Sequence, residues 1–295
     1  MSFVQLTISG IITGFIYGFV ALGFILIFKA SKILNFAQGA MLLFLAYVSW
    51  SFMAQLHMPW YWSIIATLIV AVIFGFSVER VVLRPLLGEP LLAMMAATIG
   101  LGVLIEGIVT ILWAGSLKTY PVSIIPSGSV EIMGDIKIGL ESIITLILII
   151  LLVAVLFSFF KYTRIGLAMR AVAEDHETAQ SKGIKINSIF AAAWIISGIV
   201  SVFAGVLLGS SNGISYSLSG MGMKVFPVAL LGGLESLPGA IIAGILVGVL
   251  ENYADVWISP LVGGGVKEIF PYIILIVVLI VRPYGLFGLK KIERV

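Results

Sequence analysis

The sequence predicts an all-α protein: a polytopic bundle of transmembrane helices with eight long spans and one short or re-entrant crossing. Composition is the first reason. Hydrophobic residues make up 61% of the 295 and charged residues only 11%, and mean hydropathy is +1.20, values that suit a bilayer rather than a water-exposed globule. Run length is the second. Apolar stretches of roughly 20 residues match the hydrocarbon thickness at about 1.5 Å per helical residue. Pattern is the third. The runs do not alternate apolar and polar residues as barrel strands do, so the backbone groups they carry into lipid must be paired within helices.

The long spans fall at 5–28, 39–56, 60–83, 91–114, 139–160, 188–210, 238–254 and 268–285. A further stretch, 219–234, is apolar but short, and is interrupted by Pro227, Gly232 and Gly233. The basic residues decide between crossing and re-entry. With the polar loop at 161–187 in the cytoplasm, Lys29, Lys32, Arg80 and Arg84 also fall inside, and the uncharged N-terminus lies outside. The basic tail GLKKIERV reaches the cytoplasm only if 219–234 crosses. Nine crossings then place 13 of the 17 Lys and Arg residues inside, the bias that membrane topology follows. ENYADVWISP, with its acidic residues and Trp257, falls outside. Trp50, Trp60 and Trp62 read as interfacial anchors. The N-terminus has no basic region, and its apolar run is long enough to remain as a span. The whole chain, 1–295, reads as a single membrane domain.

Several functions are excluded. With no cysteine and only His57 and His176, neither a disulfide framework nor a thiolate or histidine metal centre is expected. No GxxxxGK[ST] loop or HExxH occurs, so neither catalytic residues nor a cofactor of its own is expected. The formal net charge of +3 follows from topology rather than from nucleic-acid binding.

Small residues recur at helical spacing: Gly10, Gly14 and Gly18; Gly205 and Gly209; Ala240, Gly244 and Gly248. Such stripes let helix backbones approach closely, either within one bundle or at a subunit interface.

The strongest functional signal is KYTRIGLAMRAVAEDHETAQSKGIKIN. This 27-residue stretch, Lys161 to Asn187, holds five Lys/Arg and three Asp/Glu in an otherwise apolar chain. Ala168 to Gln180 contains good helix formers and no Gly or Pro, which predicts one helix that Gly183 ends. Glu174, Asp175 and Glu177 follow Arg170 at spacings of four, five and seven, which allows one or two same-face ion pairs. A loop of this kind is either a solvated connection or a short helix shaped for a partner's groove.

This stretch resembles the coupling loop of ABC importer permeases. The resemblance is nearest to the LivH-type permease subunit of the high-affinity branched-chain amino-acid ABC transporter family. It extends to GFVALGFILIFKASKILNFAQGAM (Gly18 to Met41), to SGIVSVFAGVLLG after the loop, and to MKVFPVALLGGLESLPGAIIAGILVGVLEN (Met223 to Asn252). Order and spacing agree over nearly the whole chain. Ala40 departs from the pattern where an acidic residue is usual, and Ser181-Lys182 where apolar residues are usual. The resemblance implies the ABC importer permease fold, set in a bacterial or archaeal plasma membrane. It implies two cytoplasmic ATPases that use ATP, a second related permease, and an extracytoplasmic binding protein that delivers an amino acid. It also implies that Arg170, Glu174, Asp175, Ala179 and Gly183 contact the ATPase. Urea, short amides or a sugar are alternative cargoes within the superfamily. A self-sufficient channel or secondary transporter is the alternative from another class.

For the substrate pathway the candidates are polar or helix-breaking residues at membrane depth. Asn35 and Gln38 lie in the polar break KASKILNFAQG. Pro227, Gly232 and Gly233 interrupt the short crossing. Irregular backbone at this depth either makes a simple turn or lines a wet cavity. Glu106 lies within an apolar span, where a carboxylate costs roughly 2.5–3.5 kcal/mol and must face protein or water. Asn252, beside Glu251, ends the crossing at 238–254.

Overall fold

The computed structural model describes residues 3–122, 124–126, 128–131 and 137–288. The expected cytoplasmic tail lies almost wholly outside them. In chain order come α1 (Phe3–Ser31), α2 (Gln38–Ala54), α3 (Trp60–Ser77) and α4 (Leu91–Trp113). A π-helical turn, Val78–Leu83, and a 3-10 turn, Arg84–Leu86, extend α3. A short antiparallel hairpin, β1 (Ser129–Glu131) with β2 (Lys137–Gly139), precedes α5 (Leu140–Tyr162). Then follow α6 (Arg164–Glu174), α7 (His176–Ser181), α8 (Ile186–Asn212), α9 (Ser217–Gly232), α10 (Leu237–Trp257), α11 (Ser259–Val262) and α12 (Val266–Val281). Among the described residues the protein is all-α apart from that hairpin.

Among the described residues six helices are long and apolar enough to cross a bilayer: α1, α3 with its extension, α4, α5, α8 and α10. The expected spans at 39–56 and 268–285 are shorter helices, α2 and α12, of 17 and 16 residues. The backbone supplies the reason. His57, at φ 53°, and Pro59 close the α2 end. Pro283 ends α12 at Val281, the preceding Arg282 lying outside the helical region at φ −137°, ψ 87°. At about 1.5 Å per residue these helices reach roughly 25 Å.

The expected break at Pro227 is absent: α9 runs through it without interruption. The Gly pair instead makes the turn that follows. Gly233 has φ 93°, and a Cβ on Gly232 would lie 2.6 Å from the Gly239 backbone. Ser236 caps α10 by accepting from Gly239 N at 3.1 Å.

The chain packs as two compact units. One comprises Met1–Ile25, Ser127–Ile150 and Lys224–Val295, the other Leu26–Pro126 and Leu151–Met223. In the first, the α1 glycines meet the small-residue stripe of α10. A Cβ on Gly10 would fall 2.6 Å from Val249 Cα, and one on Gly14 2.5 Å from Gly244 O. These two stripes therefore serve packing inside one unit. Gly285 and Gly233 allow the segment after α12 to lie on the end of α9, where Leu286 N donates to Leu231 O at 2.8 Å.

The second unit is built on α2, α3 and α8. Leu45, Ala71, Val202 and Val206 form a buried cluster there, joined by Phe44, Ile64 and Leu68. Gly75 lies under the Trp194 carbonyl and Gly205 under Leu42 O, so α8 sits against α3 and α2 with backbones close.

Candidate functional site

Three groups of polar residues stand out in the second unit. The first is the polar loop. Thr163 caps α6, its hydroxyl accepting from Gly166 N at 3.0 Å. The loop does not form one helix over 168–180. It breaks at Asp175, whose backbone is extended at φ −155°, ψ 115°. Asp175 Oδ1 accepts from Glu177 N at 2.9 Å and Thr178 N at 3.2 Å, and Oδ2 accepts from Thr178 Oγ1 at 2.7 Å. An Asp with donors two and three residues ahead is worth more as an N-cap than as an interior helix residue. The Thr178 hydroxyl, and then the Thr178 amide, hold its carboxyl below the usual carboxylate value.

The two short helices form an elbow with an apolar inner side. Met169, Val172 and Ala179 are buried, while Glu174, Asp175, Glu177, Gln180 and Gly183 are exposed. His176 is tied to the Ala30 carbonyl at 3.0 Å and meets the Phe190 ring edge-on. Arg170 does not take its expected place. It donates to the Lys161 carbonyl at 3.4 Å and lies over the Phe160 ring. Among the described residues no ion pair joins it to Glu174, Asp175 or Glu177. Gly183, at φ 83°, ends α7 as predicted, and Ile184 N returns to Ala179 O at 3.1 Å. Beside the elbow is a groove of about 680 Å³ lined by Arg84, His176, Gln180, Lys185 and Phe190 among others.

The second group holds the polar break. Asn35 and Gln38 are 1% and 2% exposed. Asn35 Nδ2 donates to Gln38 Oε1 at 3.0 Å, and Asn35 Oδ1 accepts from Ala37 N at 3.1 Å. Gln38 Oε1 also accepts from Ser197 Oγ at 2.7 Å, and its Nε2 donates to Ser201 Oγ at 3.0 Å. Thr98 of α4 clasps the same turn, donating to Leu34 O at 3.0 Å. The amides thus tie α2 to α8 through internal bonds, as buried polar groups require.

The third group centres on Glu106 of α4. It is half-buried, and Ser219 Oγ of α9 donates to its Oε1. Tyr216 OH donates to the Glu106 carbonyl at 3.3 Å and shares a hydrogen bond with Thr110 Oγ1. A carboxylate and three hydroxyls, from α4, α9 and the turn that leads into α9, therefore meet about 10 Å inside the α4 end at Trp113.

The family described as "branched-chain amino acid transport system / permease component" matches residues 6–279. This chain belongs to it. LivH of Salmonella typhimurium, a high-affinity branched-chain amino acid transport system permease protein, is 31% identical, covering 99% of this chain and 98% of its own. BraD of Pseudomonas aeruginosa is 30% identical over the same shares. PsaBC from Streptococcus pneumoniae in complex with Fab superposes with a TM-score of 0.50 at 15% identity, covering 96% of this chain and 93% of that chain, a likeness of fold. The permease is accordingly a LivH-type, multi-pass protein of the inner membrane.

This permease also carries a charged group that the sequence reading passed over. The first unit buries Lys224 of α9, 3% exposed, beside Glu251 of α10, 0% exposed. Lys224 Nζ lies 3.1 Å from Glu251 Oε1 and 3.2 Å from Glu268 Oε2 of α12. Tyr17 OH of α1 donates to Glu251 Oε1 at 3.2 Å. Among the described residues Glu251 Oε2 has no hydrogen-bond partner. Lys224 sits in the middle of α9, where the buried Glu251 carboxylate neutralises it. A lone Lys inside MKVFPVALL was the available signal. Asn252, the neighbouring candidate, faces α1, its Nδ2 3.5 Å from Leu6 O. Gly232 and Gly233 are buried in the α9–α10 turn and Pro227 within α9.

Proposed function

We propose that this chain is the membrane permease subunit of an ABC importer that moves branched-chain or related amino acids inward by alternating access. Two cytoplasmic ATPases drive it, a second related permease completes the path, and an extracytoplasmic binding protein delivers the cargo. The chain itself carries no cofactor; ATP is used by the partners. All 295 residues act as one permease domain, with the N-terminus outside and the C-terminus cytoplasmic.

The capped elbow of α6 and α7 carries this reading. Its inner face is anchored by Met169, Val172 and Ala179, and its outer face presents Glu174, Asp175 and Gly183 to water. A rigid element of this kind transmits a push into α8 rather than absorbing it. Closure of the ATPase pair moves the elbow, and α8, continuous with it through Ile184 and Lys185, shifts with it. Arg170 braces the elbow on Phe160. Glu106 lines the path; Asn35 and Gln38 hold helices of the second unit, and Pro227, Gly232, Gly233 and Asn252 hold helices of the first.

A sugar cargo has one observation behind it, the 29% identity to the ribose import permease protein RbsC of Haemophilus influenzae. That match covers 34% of this chain against 99% for LivH, which favours the amino acid. The test is a paired charge reversal, Glu174→Lys with Asp175→Lys, in the complex purified from native membranes. Two ATPases and a second permease should accompany the wild-type chain. The reversed chain should insert normally yet no longer couple ATP hydrolysis to leucine uptake. Unchanged uptake refutes the assignment, and a chain that purifies alone supports a self-sufficient channel or secondary transporter.

A further inference from the structure

The Glu106 group differs from the other polar sites in one respect: its surroundings are open. Asn35 and Gln38 are sealed in internal bonds, and Glu251 is paired with Lys224. Glu106 has a hydroxyl partner in Ser219, and among the described residues no Lys or Arg is paired with it. The face around it is exposed: Val103 at 67% on α4 and Met223 at 45% on α9. A Cβ added to Gly107, next to Glu106, or to Gly220, next to Ser219, would meet no atom within 4 Å. Open space therefore lies beside Gly107 and Gly220, the chain neighbours of the two hydrogen-bonded residues.

Lipid is a poor occupant of that space. A carboxylate bonded to a hydroxyl and, among the described residues, to no cation is costly against hydrocarbon about 10 Å inside a span. The face must meet water, a polar ligand or a cationic partner. We infer that Glu106, with the hydroxyls of Thr110, Tyr216 and Ser219, receives the α-ammonium group of the transported amino acid. This deepens the proposed function and rests on it.

The chemistry fits a primary ammonium. Such a group carries three donors and is matched by one charged and two neutral oxygen acceptors. The Glu106 carboxylate supplies the charge, and the hydroxyl oxygens of Tyr216, Thr110 and Ser219 are the neutral acceptors at hand. Val103 and Met223 offer apolar surface on either side for a branched side chain, and Met adapts to several shapes. Nothing here recognises a carboxylate. The α9 amides of Leu218, Ser219 and Gly220 are already bonded to Ser215 and Tyr216 carbonyls. The wall thus reads the ammonium end only. Under the proposed orientation, it lies near the extracytoplasmic end of the path, where delivered cargo arrives.

The chain contains no cysteine, so a single introduced thiol reports its own surroundings. Gly107→Cys and Gly220→Cys would be placed in the full complex in proteoliposomes and treated with a negatively charged methanethiosulfonate. Both thiols should react, and saturating leucine with its binding protein should slow both. In parallel, Glu106→Gln should raise the leucine KM about 10- to 100-fold, the loss expected for a charge-assisted hydrogen bond. Complex assembly should not change. Thiols inert to the charged reagent would place the face in lipid or against the second permease and overturn the inference. Labelling that leucine does not slow would overturn it too, as would an unaltered KM in Glu106→Gln. Each of these results leaves the importer assignment intact if the partners co-purify and uptake proceeds; absence of partners would instead defeat that assignment.

Discussion

Replacing Lys224 with Met probes the buried ion pair, and the structure sets the size of the effect. Lys224 has two carboxylate partners at nearly equal distance, 3.1 Å and 3.2 Å, but Glu251 is 0% exposed and Glu268 is 70% exposed. The exposed pair contributes under about 1 kcal/mol. The buried one is different, because removing the cation leaves a carboxylate in an apolar bundle, and breaking such a pair costs about 3–5 kcal/mol. Protonation sets a ceiling, since neutralising a carboxyl group at pH 7 costs about 3.7 kcal/mol from its ordinary solution value. Lys224→Met should therefore destabilise the permease by about 3–4 kcal/mol, and Glu268→Gln by less than about 1 kcal/mol. Adding Glu251→Gln to Lys224→Met should recover most of the loss, because the amide is neutral and Tyr17 still finds an acceptor. The assay is a double-mutant cycle on reversible unfolding of the purified chain in mixed micelles. A coupling energy below about 0.5 kcal/mol, or equal effects of Lys224→Met and Glu268→Gln, would refute the burial argument.

Three further outcomes follow from local geometry. Gly14→Leu should abolish accumulation of folded chain in the membrane, because its Cβ would sit 2.5 Å from Gly244 O, a backbone atom that cannot yield; Gly107→Ala, with nothing within 4 Å, should accumulate normally. Gln38→Leu should cost roughly 1–3 kcal/mol by stranding the partners of its amide, read as a lower thermal midpoint of the purified complex with an unchanged leucine KM. The Asp175 carboxyl is held below its usual value in the folded chain, so its cap is fully present above the ordinary value of about 3.9 and is lost as pH falls through the lower folded value. Amide exchange at Glu177 and Thr178 should lose protection on that acid limb in the wild-type chain, and Asp175→Asn should show no such limb.

Much of this protein was legible locally. The composition and the apolar runs required membrane helices, because hydrocarbon leaves a backbone no other way to pair. Glycine at 183 ended its helix as the residue type demands, and the polar stretch at 161–187 stood out from its apolar flanks. Glu106 was marked by one charge within an apolar run. Other features depended on distant partners. Gln38 reads as a pathway candidate until Ser201, 163 positions away, closes its hydrogen bonds. Glu251 reads as the end of a crossing until Lys224 and, 234 positions away, Tyr17 surround it. The Asp175 break was a competition between helix propensity and capping, decided by how the elbow seats Val172 and Ala179. Periodicity reports which residues must leave water. Which charges meet once they have left it depends on helix packing, and that decided where this permease buries an ion pair and where it leaves a carboxylate open.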